Sequence, residues 1–168
     1  FLAAMNPGDP ADPVLRQVLA RQDERALTPG FTTDPLQEQA HSPLPGLLHK
    51  YQNRALLITT GACAVHCRYC FRRHYPYSEG HSGGAQLPAA LAYLERETSI
   101  EEVILSGGDP LMLDDEKLAA LLTALEALPH LKRVRLHSRA SQKFRKKHHL
   151  CLYHLQLFQF RYHLNHRF

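Results

Sequence analysis

The segment GACAVHCRYCFRRHYPY, residues 61–77, places Cys63, Cys67 and Cys70 within eight positions. Clustered cysteines of this kind indicate a metal centre rather than a disulfide framework. An ordinary four-iron cluster takes four cysteine ligands, so three cysteines leave one iron with an open coordination position. Zinc sites show that an open position distinguishes a catalytic metal from a closed structural one. The spacing therefore favours a reactive metal centre on this loop.

A structural zinc loop is the alternative interpretation of the same residues. His66 or His74 would then complete the ligand set. His66 lies between the cysteines, and the CxxxCxxC spacing is not one that zinc sites commonly use. Cys151 is the other cysteine of the chain, and we expect it to be incidental.

Apolar runs and helical periods alternate on either side of the cysteine loop. Strand, helix, strand, helix and strand are predicted in turn over residues 54–60, 87–97, 102–106, 114–128 and 132–137. This order predicts an α/β fold with parallel strands joined by right-handed crossovers. Upstream, an amphipathic helix is predicted over 14–27, inside a proline-rich wrapping segment that spans residues 1–50.

A glycine-rich break, Ser106-Gly107-Gly108-Asp109-Pro110, follows the second predicted strand. The cysteine loop follows the first strand, and the carboxyl ends of parallel strands meet at one edge, where ligands gather. Glycines allow close backbone approach, and a carbonyl or Asp109 accepts a hydrogen bond from an ammonium group. An ordinary turn would contain the same residue types, so this break alone does not identify a site.

The positive charge of the chain is confined to its end. The whole chain of 168 residues carries a net charge of +4, but residues 1–139 hold 14 Lys and Arg against 16 Asp and Glu. We therefore expect no nucleic-acid partner. No apolar run reaches the roughly 18 residues of a membrane span, so no membrane association is expected. The clustered cysteines favour a reducing compartment, which we interpret as the cytoplasm.

Residues 140–168 differ in composition from the rest of the chain. They contain six Lys and Arg, no acid, no Gly and no Pro, together with five of the twelve histidines. We interpret this basic tail as frameshifted or disordered sequence, and a nucleic-acid-binding or metal-binding tail is the alternative. Its alternating stretch 155–164 would suit a strand.

The CxxxCxxC motif with Tyr69 before its last cysteine resembles the signature of radical S-adenosylmethionine enzymes. Within that group, the chain is similar to the lysine 2,3-aminomutase family, and to its branch that makes (R)-β-lysine for modification of elongation factor P. The resemblance rests on residues 45–57, 63–77, 104–112 and 131–139. It implies a partial (βα) barrel, of which residues 51–139 would form the core with about three βα units.

The resemblance also implies roles for individual residues. Cys63, Cys67 and Cys70 would hold a 4Fe–4S cluster. Arg72 would bind the substrate carboxylate, for which a planar bidentate donor is suited. S-adenosylmethionine would contact Tyr69, Ser106, Gly107, Gly108 and Asp109, and the phosphate side of a pyridoxal 5′-phosphate pocket would include Tyr51 and Arg54.

The implied reaction uses both organic cofactors on L-lysine. A deoxyadenosyl radical takes a hydrogen from Cβ, and the pyridoxal imine allows the α-nitrogen to migrate. The family requires an external electron donor and forms homo-oligomers when full-length. Its Schiff-base lysine and the acids that bind the substrate ammonium groups lie downstream, and no residue of this chain matches them. We therefore expect an amino-terminal piece that is not competent alone.

Two other functions are compatible with these residues. A catabolic lysine or glutamate 2,3-aminomutase would share the same motifs, since substrate choice depends on downstream residues. A non-catalytic iron–sulfur or zinc-binding module with a basic tail is the alternative outside this enzyme class.

Overall fold

A computed structural model describes residues 2–26, 28–78, 86–139 and 163–164 of the chain. The chain forms two compact units. The first comprises Phe1–Gln37 with Val65–Tyr75, and the second comprises Glu38–Ala64 with Pro76–Phe168. The tail interpretation for 140–168 lies outside the described residues, apart from a short strand at His163–Leu164.

The second unit is built on one mixed sheet, whose strands are β1 Leu47–Tyr51, β2 Arg54–Thr60, β3 Glu102–Gly107, β4 Arg133–Leu136 and β5 His163–Leu164. The strand order in the sheet is β1-β2-β3-β4-β5. The pairs β2–β3, β3–β4 and β4–β5 are parallel, and the pair β1–β2 is antiparallel. The three predicted strands and their parallel order are therefore confirmed.

The strand β1 is absent from the sequence prediction. Tyr51 pairs with Arg54, so Gln52 and Asn53 form a two-residue hairpin loop between β1 and β2. Such loops are recognised most readily from an Asn-Gly or Asp-Gly pair, which this turn lacks. The predicted wrapping segment 1–50 consequently ends inside a strand rather than before one.

Two α-helices connect the parallel strands of the described chain. The helix α1 spans Leu87–Arg96 between β2 and β3, and α2 spans Asp115–Glu126 between β3 and β4. The Asp114 side chain accepts a hydrogen bond from the Lys117 main-chain nitrogen at 3.2 Å and caps α2. Both predicted helices are thus confirmed, with ends that differ by one or two residues.

The core lies between one face of the sheet and the two helices. Alternate residues of the parallel strands point to this face, because successive side chains of a strand lie on opposite sides. The buried strand residues are Ala55, Leu57, Val103, Leu105, Val134 and Leu136, and the helices add Ala90, Leu94, Leu118, Leu121, Leu122 and Leu125. Each fully buried leucine contributes about 2 kcal/mol to folding.

The first unit contains turns where the sequence predicts a helix, so the prediction over 14–27 is wrong. Short 3-10 helices occupy Leu15–Gln17 and Gln22–Arg25. Arg21 between them is extended, with φ −123° and ψ 153°. An α-helix cannot pass through an extended residue. The side chain of Glu24 accepts from the Arg21 main-chain nitrogen, which fixes the break.

Asp12 organises the beginning of the first unit. Its Oδ1 atom accepts from the main-chain nitrogens of Val14 and Leu15 at 2.8 Å, and Oδ2 accepts from Asn6 at 3.0 Å. Hydrogen bonds from Leu15, Asn6 and Val14 lower the pKa of Asp12 below its ordinary value.

No helix in the described part of the chain combines the length and the apolar character needed to span a membrane.

Candidate functional site

The cysteine loop and the glycine-rich break leave the sheet at the same edge. Thr60, the last residue of β2, is the register partner of Gly107, the last residue of β3. This edge is the carboxyl end of both parallel strands, as the sequence predicts. Ligands of parallel α/β sheets gather at such an edge. We refer to it as the carboxyl edge.

The two glycines of the break are required by the neighbouring backbone. The main-chain nitrogen of Gly108 donates to the Thr60 carbonyl at 2.7 Å, and Asp109 donates to the Ala62 carbonyl at 2.8 Å. A Cβ atom at Gly108 would lie 2.2 Å from the Ala62 oxygen. Gly107 has a φ of +115°, a region that favours glycine. The close approach therefore joins the break to residues 60–62, which lead directly into Cys63.

Tyr77, the last residue of the cysteine segment 61–77, contacts residues at the same edge. Its hydroxyl donates to the Gly107 carbonyl at 3.0 Å. Its side chain also lies against Gly61, where a Cβ atom would be 3.0 Å from the tyrosine Cβ. Sequence analysis did not single out Tyr77, because nothing in the local pattern links it to residues 30 positions away.

Asp109 connects the ends of β3 and β4. Its Oδ1 atom accepts from the Leu111 main-chain nitrogen at 3.0 Å, and Oδ2 accepts from the Arg139 nitrogen at 2.8 Å. The carboxylate is buried, and so is Ser106, whose carbonyl accepts from the Thr59 hydroxyl at 3.1 Å. Each oxygen of Asp109 thus has a main-chain donor. The predicted contacts of this stretch with S-adenosylmethionine remain predictions.

In the first unit, the segment 67–73 folds into consecutive tight turns. The Cys70 nitrogen donates to the Cys67 carbonyl at 3.1 Å, and the Arg73 nitrogen donates to the Cys70 carbonyl at 3.3 Å. Cys67 and Cys70, like Cys63 in the second unit, are partly buried and form no disulfide among the described residues. Partial exposure and reduced thiols suit metal ligation.

Glu24 holds the segment 67–73 from the N-terminal part of the same unit. Its Oε1 atom accepts from Arg68 Nε at 2.5 Å, and its Oε2 atom accepts from Arg73 Nη2 at 3.0 Å. The Arg68 nitrogen also donates to the Gln17 carbonyl at 2.7 Å. Hydrogen bonds from Arg73, from the Arg21 main chain and from Arg68 lower the pKa of Glu24. Sequence analysis missed Glu24, because the two arginine side chains that it binds lie more than 40 positions away.

Arg72 and Tyr69, which the sequence predicts to contact the substrate and S-adenosylmethionine, differ in exposure. Arg72 is 8% exposed, and its guanidinium carbon lies 4.7 Å from the centre of the Phe71 ring. Tyr69 is 59% exposed. The Arg72 carbonyl accepts from the Tyr75 nitrogen at 3.1 Å, which continues the turns of this segment.

Tyr51 and Arg54 lie at the other edge of the sheet. Tyr51 ends β1 and is 60% exposed, while Arg54 begins β2. The Arg54 Nε atom donates to Glu102 Oε2 at 2.6 Å. The seven residues of β2 separate this amino edge from the carboxyl edge by roughly 20 Å. The sequence-based assignment of both residues to one phosphate pocket stays a prediction.

The chemistry of the donors fits an iron–sulfur cluster. Soft thiolate ligands favour iron–sulfur clusters, zinc and Cu(I), and the three cysteines are the soft donors of the loop. In a cluster, different irons take the cysteines, so the thiolates need not converge on one ion. Within the described residues, no three His, Cys, Asp or Glu side chains are grouped to hold a single metal ion.

Comparison with known proteins identifies the family. The sequence profile of the Radical SAM superfamily matches residues 57–151, which is more than half of the chain. The chain belongs to the radical SAM superfamily. The match begins within β2, at residue 57, and includes all three clustered cysteines and the glycine-rich break.

Named relatives of this radical SAM chain are L-lysine 2,3-aminomutases. The Escherichia coli (strain K12) protein is 58% identical over 139 residues, and the Haemophilus influenzae protein is 48% identical over 139 residues. Each alignment covers 83% of this chain, which spans about 40% of the length of these relatives. The protein of Clostridium subterminale is 36% identical over 140 residues. The resemblance to the lysine 2,3-aminomutase family is therefore confirmed.

Proposed function

We propose that this chain is part of an L-lysine 2,3-aminomutase that makes (R)-β-lysine for modification of elongation factor P. The proposal is supported by the identity to relatives of that name and by the arrangement at the carboxyl edge. The observation that carries it is the docking of Gly108 onto residues 60–62, which places the glycine-rich break beside the start of the cysteine loop. The parallel strands β2 to β4 would be the first part of a partial (βα) barrel.

The proposed roles of the residues follow from their chemistry. Cys63, Cys67 and Cys70 would hold a 4Fe–4S cluster and leave one iron for S-adenosylmethionine, whose contacts would be Tyr69, Ser106, Gly107, Gly108 and Asp109. When bound, the cluster and S-adenosylmethionine would supply radical initiation, and pyridoxal 5′-phosphate would supply electron delocalisation for the migration of the amino group. An external donor supplies the electron, and the cytoplasm keeps the thiols reduced.

Arg72 is proposed to orient the substrate. A guanidinium binds a carboxylate through two parallel hydrogen bonds, which fixes both position and angle. The side chain of Arg72 is buried and packs on the Phe71 ring, so its position is restricted. A restricted donor loses less conformational entropy on binding and strengthens the contact with the carboxylate of L-lysine.

Anaerobic reconstitution of the 168-residue chain with iron and sulfide tests the proposal. We expect four irons per chain and an electron paramagnetic resonance spectrum that changes when S-adenosylmethionine is added. Replacement of Cys63, Cys67 or Cys70 by Ser should abolish the cluster, whereas Cys151→Ser should retain it.

A single bound zinc with no response to S-adenosylmethionine would contradict the proposal and favour a non-catalytic module. A second assay adds L-lysine, pyridoxal 5′-phosphate and reductant to the reconstituted chain. We expect no β-lysine from this chain alone, because it matches no more than about two fifths of its named relatives.

A further inference from the structure

The carboxylate of Glu24 joins two stretches of the first unit that are distant in sequence. Its Oε1 atom accepts a hydrogen bond from the Arg21 main-chain nitrogen at 3.0 Å, at the start of the 3-10 helix Gln22–Arg25. On the cysteine segment, Oε1 also accepts from Arg68 Nε, and Oε2 accepts from Arg73 Nη2. One side chain therefore fixes both arginines to a turn that has a main-chain contact of its own.

The two arginines lie on either side of Cys70 in the chain, and Arg68 directly follows Cys67. The Arg73 Nη2 atom also donates to the Arg68 carbonyl at 3.0 Å, which closes a ring over residues 68–73. Within the same turn, the Cys70 nitrogen donates to the Cys67 carbonyl at 3.1 Å. The contacts of Glu24 are thus made with the residues that adjoin two of the predicted cluster ligands.

The ion pairs of Glu24 are partly shielded from solvent. The side chain of Glu24 is 16% exposed. Hydrogen bonds from Arg73, from the Arg21 main chain and from Arg68 hold the pKa of Glu24 below its ordinary value, so the carboxylate is ionised at neutral pH. Fully exposed ion pairs contribute little, because water screens them and the side chains lose entropy. A shielded carboxylate that uses both oxygens is a firmer contact than such a pair.

A loop that binds a metal cluster benefits from a conformation that is formed in advance. Contacts behind the ligands orient them, and a loop that is already ordered loses less conformational entropy when the ligand binds. In segment 67–73, the Arg68 nitrogen donates to the Gln17 carbonyl at 2.7 Å, and Glu24 adds the side-chain contacts. These contacts attach the cysteine turn to the N-terminal part of the same unit.

We propose that Glu24 is a positioning residue for the iron–sulfur cluster. Through Arg68 and Arg73, it holds the segment that carries Cys67 and Cys70 in the conformation that receives the cluster. Glu24 acts through the arginines and is not itself a ligand. Its negative charge also belongs to the surroundings of the cluster, whose net charge is one of the factors that set the reduction potential. This role rests on the proposed function, because it requires a cluster on these cysteines.

The first experiment measures how long the reconstituted 168-residue chain retains its cluster when an iron chelator is added in the absence of oxygen. Glu24→Gln keeps the length of the side chain and removes its charge. Segment 67–73 should then open more often, and iron should be released roughly tenfold faster. Asp23→Asn is the matched control, because it removes the same charge from the same 3-10 helix but from an exposed pair. Its release rate should stay within about twofold of the parent rate.

Arg73→Gln tests whether Glu24 acts through its arginine partners. If the two residues form one contact, the double variant should release iron about as fast as Glu24→Gln, because the second substitution removes an interaction that is already lost. Multiplication of the two separate effects would overturn the proposed route. Arg73→Gln also replaces Glu24→Gln as the test if circular dichroism shows that Glu24→Gln does not fold, because it leaves the contacts of Glu24 with Arg21 and Arg68 in place.

The second experiment measures the reduction potential of the cluster, which a residue with a structural role alone does not set through its charge. Reduction adds a negative charge to the cluster, so loss of the Glu24 charge should make the potential more positive. Glu24→Asp keeps the charge and shortens the side chain. Its potential should stay near that of the parent chain while its iron is released faster. A potential that moves equally in Glu24→Asp and Glu24→Gln would reject the role of the charge.

Failure of the proposed function and failure of the Glu24 role give different results. A parent chain that assembles no cluster would reject both. A parent chain whose cluster responds to S-adenosylmethionine, with Glu24→Gln releasing iron no faster than Asp23→Asn, would reject the role of Glu24 alone.

Discussion

The carboxyl edge of the sheet and the turns around Glu24 are held in different ways. At the carboxyl edge, main-chain nitrogens of Gly108 and Asp109 bond to main-chain carbonyls, and glycine allows the contact. In the first unit, the carboxylates of Asp12 and Glu24 accept hydrogen bonds from main-chain nitrogens, and Glu24 also accepts one from the Arg68 side chain. A backbone contact of this kind is sensitive to added volume, whereas a carboxylate contact is sensitive to charge and pH.

The largest effect is expected from Gly108→Ala at the carboxyl edge. The new Cβ atom would overlap the Ala62 main chain, which cannot move without disturbing β2. We expect a loss of about 3 kcal/mol in the free energy of unfolding, measured by urea denaturation. Gly61→Ala is the control, because the atoms nearest its Cβ belong to the Tyr77 side chain. Equal losses in the two variants would show that the main-chain contact is not the cause.

Glu24→Gln tests the carboxylate contact of the first unit. The amide keeps one acceptor but presents donors to an arginine, so segment 67–73 should open more often. In the cluster-free chain, we expect iodoacetamide to modify Cys67 and Cys70 roughly tenfold faster, with little change at Cys63. Asp23→Asn is the matched control on the same turn, because the exposed Asp23 side chain pairs with the exposed Arg21 side chain, at 3.6 Å, rather than with Arg68 or Arg73. Uniform acceleration at all three cysteines would indicate general unfolding instead.

A smaller effect is expected from Tyr77→Phe. The substitution keeps the ring against Gly61 and removes the hydrogen bond to the Gly107 carbonyl. We expect a loss of about 1 kcal/mol in the free energy of unfolding, the usual contribution of one hydrogen bond. Tyr77→Leu should cost more, because it also removes the ring. If Tyr77→Phe is as stable as the parent chain, the hydroxyl contributes nothing to this edge.

The smallest effect concerns pH. Hydrogen bonds from Leu15, Asn6 and Val14 hold the pKa of Asp12 below its ordinary value of 3.8. The stabilisation is therefore complete above about pH 4 and is lost as the pH falls towards the lower pKa of the folded state. Hydrogen exchange, corrected for intrinsic rates, should show residues 6–17 losing protection in this range before residues 102–107. Asp12→Asn should remove the pH dependence, and its persistence would assign the dependence to another group.

Local patterns in the sequence predict much of the sheet. The apolar runs of β2 and β3, the acidic start of α2 and Pro129 after it each report burial or capping within a few residues. The helix over 14–27 was predicted wrongly, because the apolar spacing there is helical while Glu24 bonds to distant arginines and to Arg21. Periodicity reports burial of a face, and it does not report which tertiary partner interrupts the helix.

The sequence by itself determined the three-cysteine loop, its place after a parallel strand and the glycine-rich break at the same edge. These features are local, since the chemistry of each depends on residues close together in the chain. Only the tertiary structure decided that Gly108 packs on Ala62 and that Glu102 joins Arg54 to Arg135. Those pairs lie tens of residues apart, and they meet because parallel strands align in one register and bring their ends to common edges.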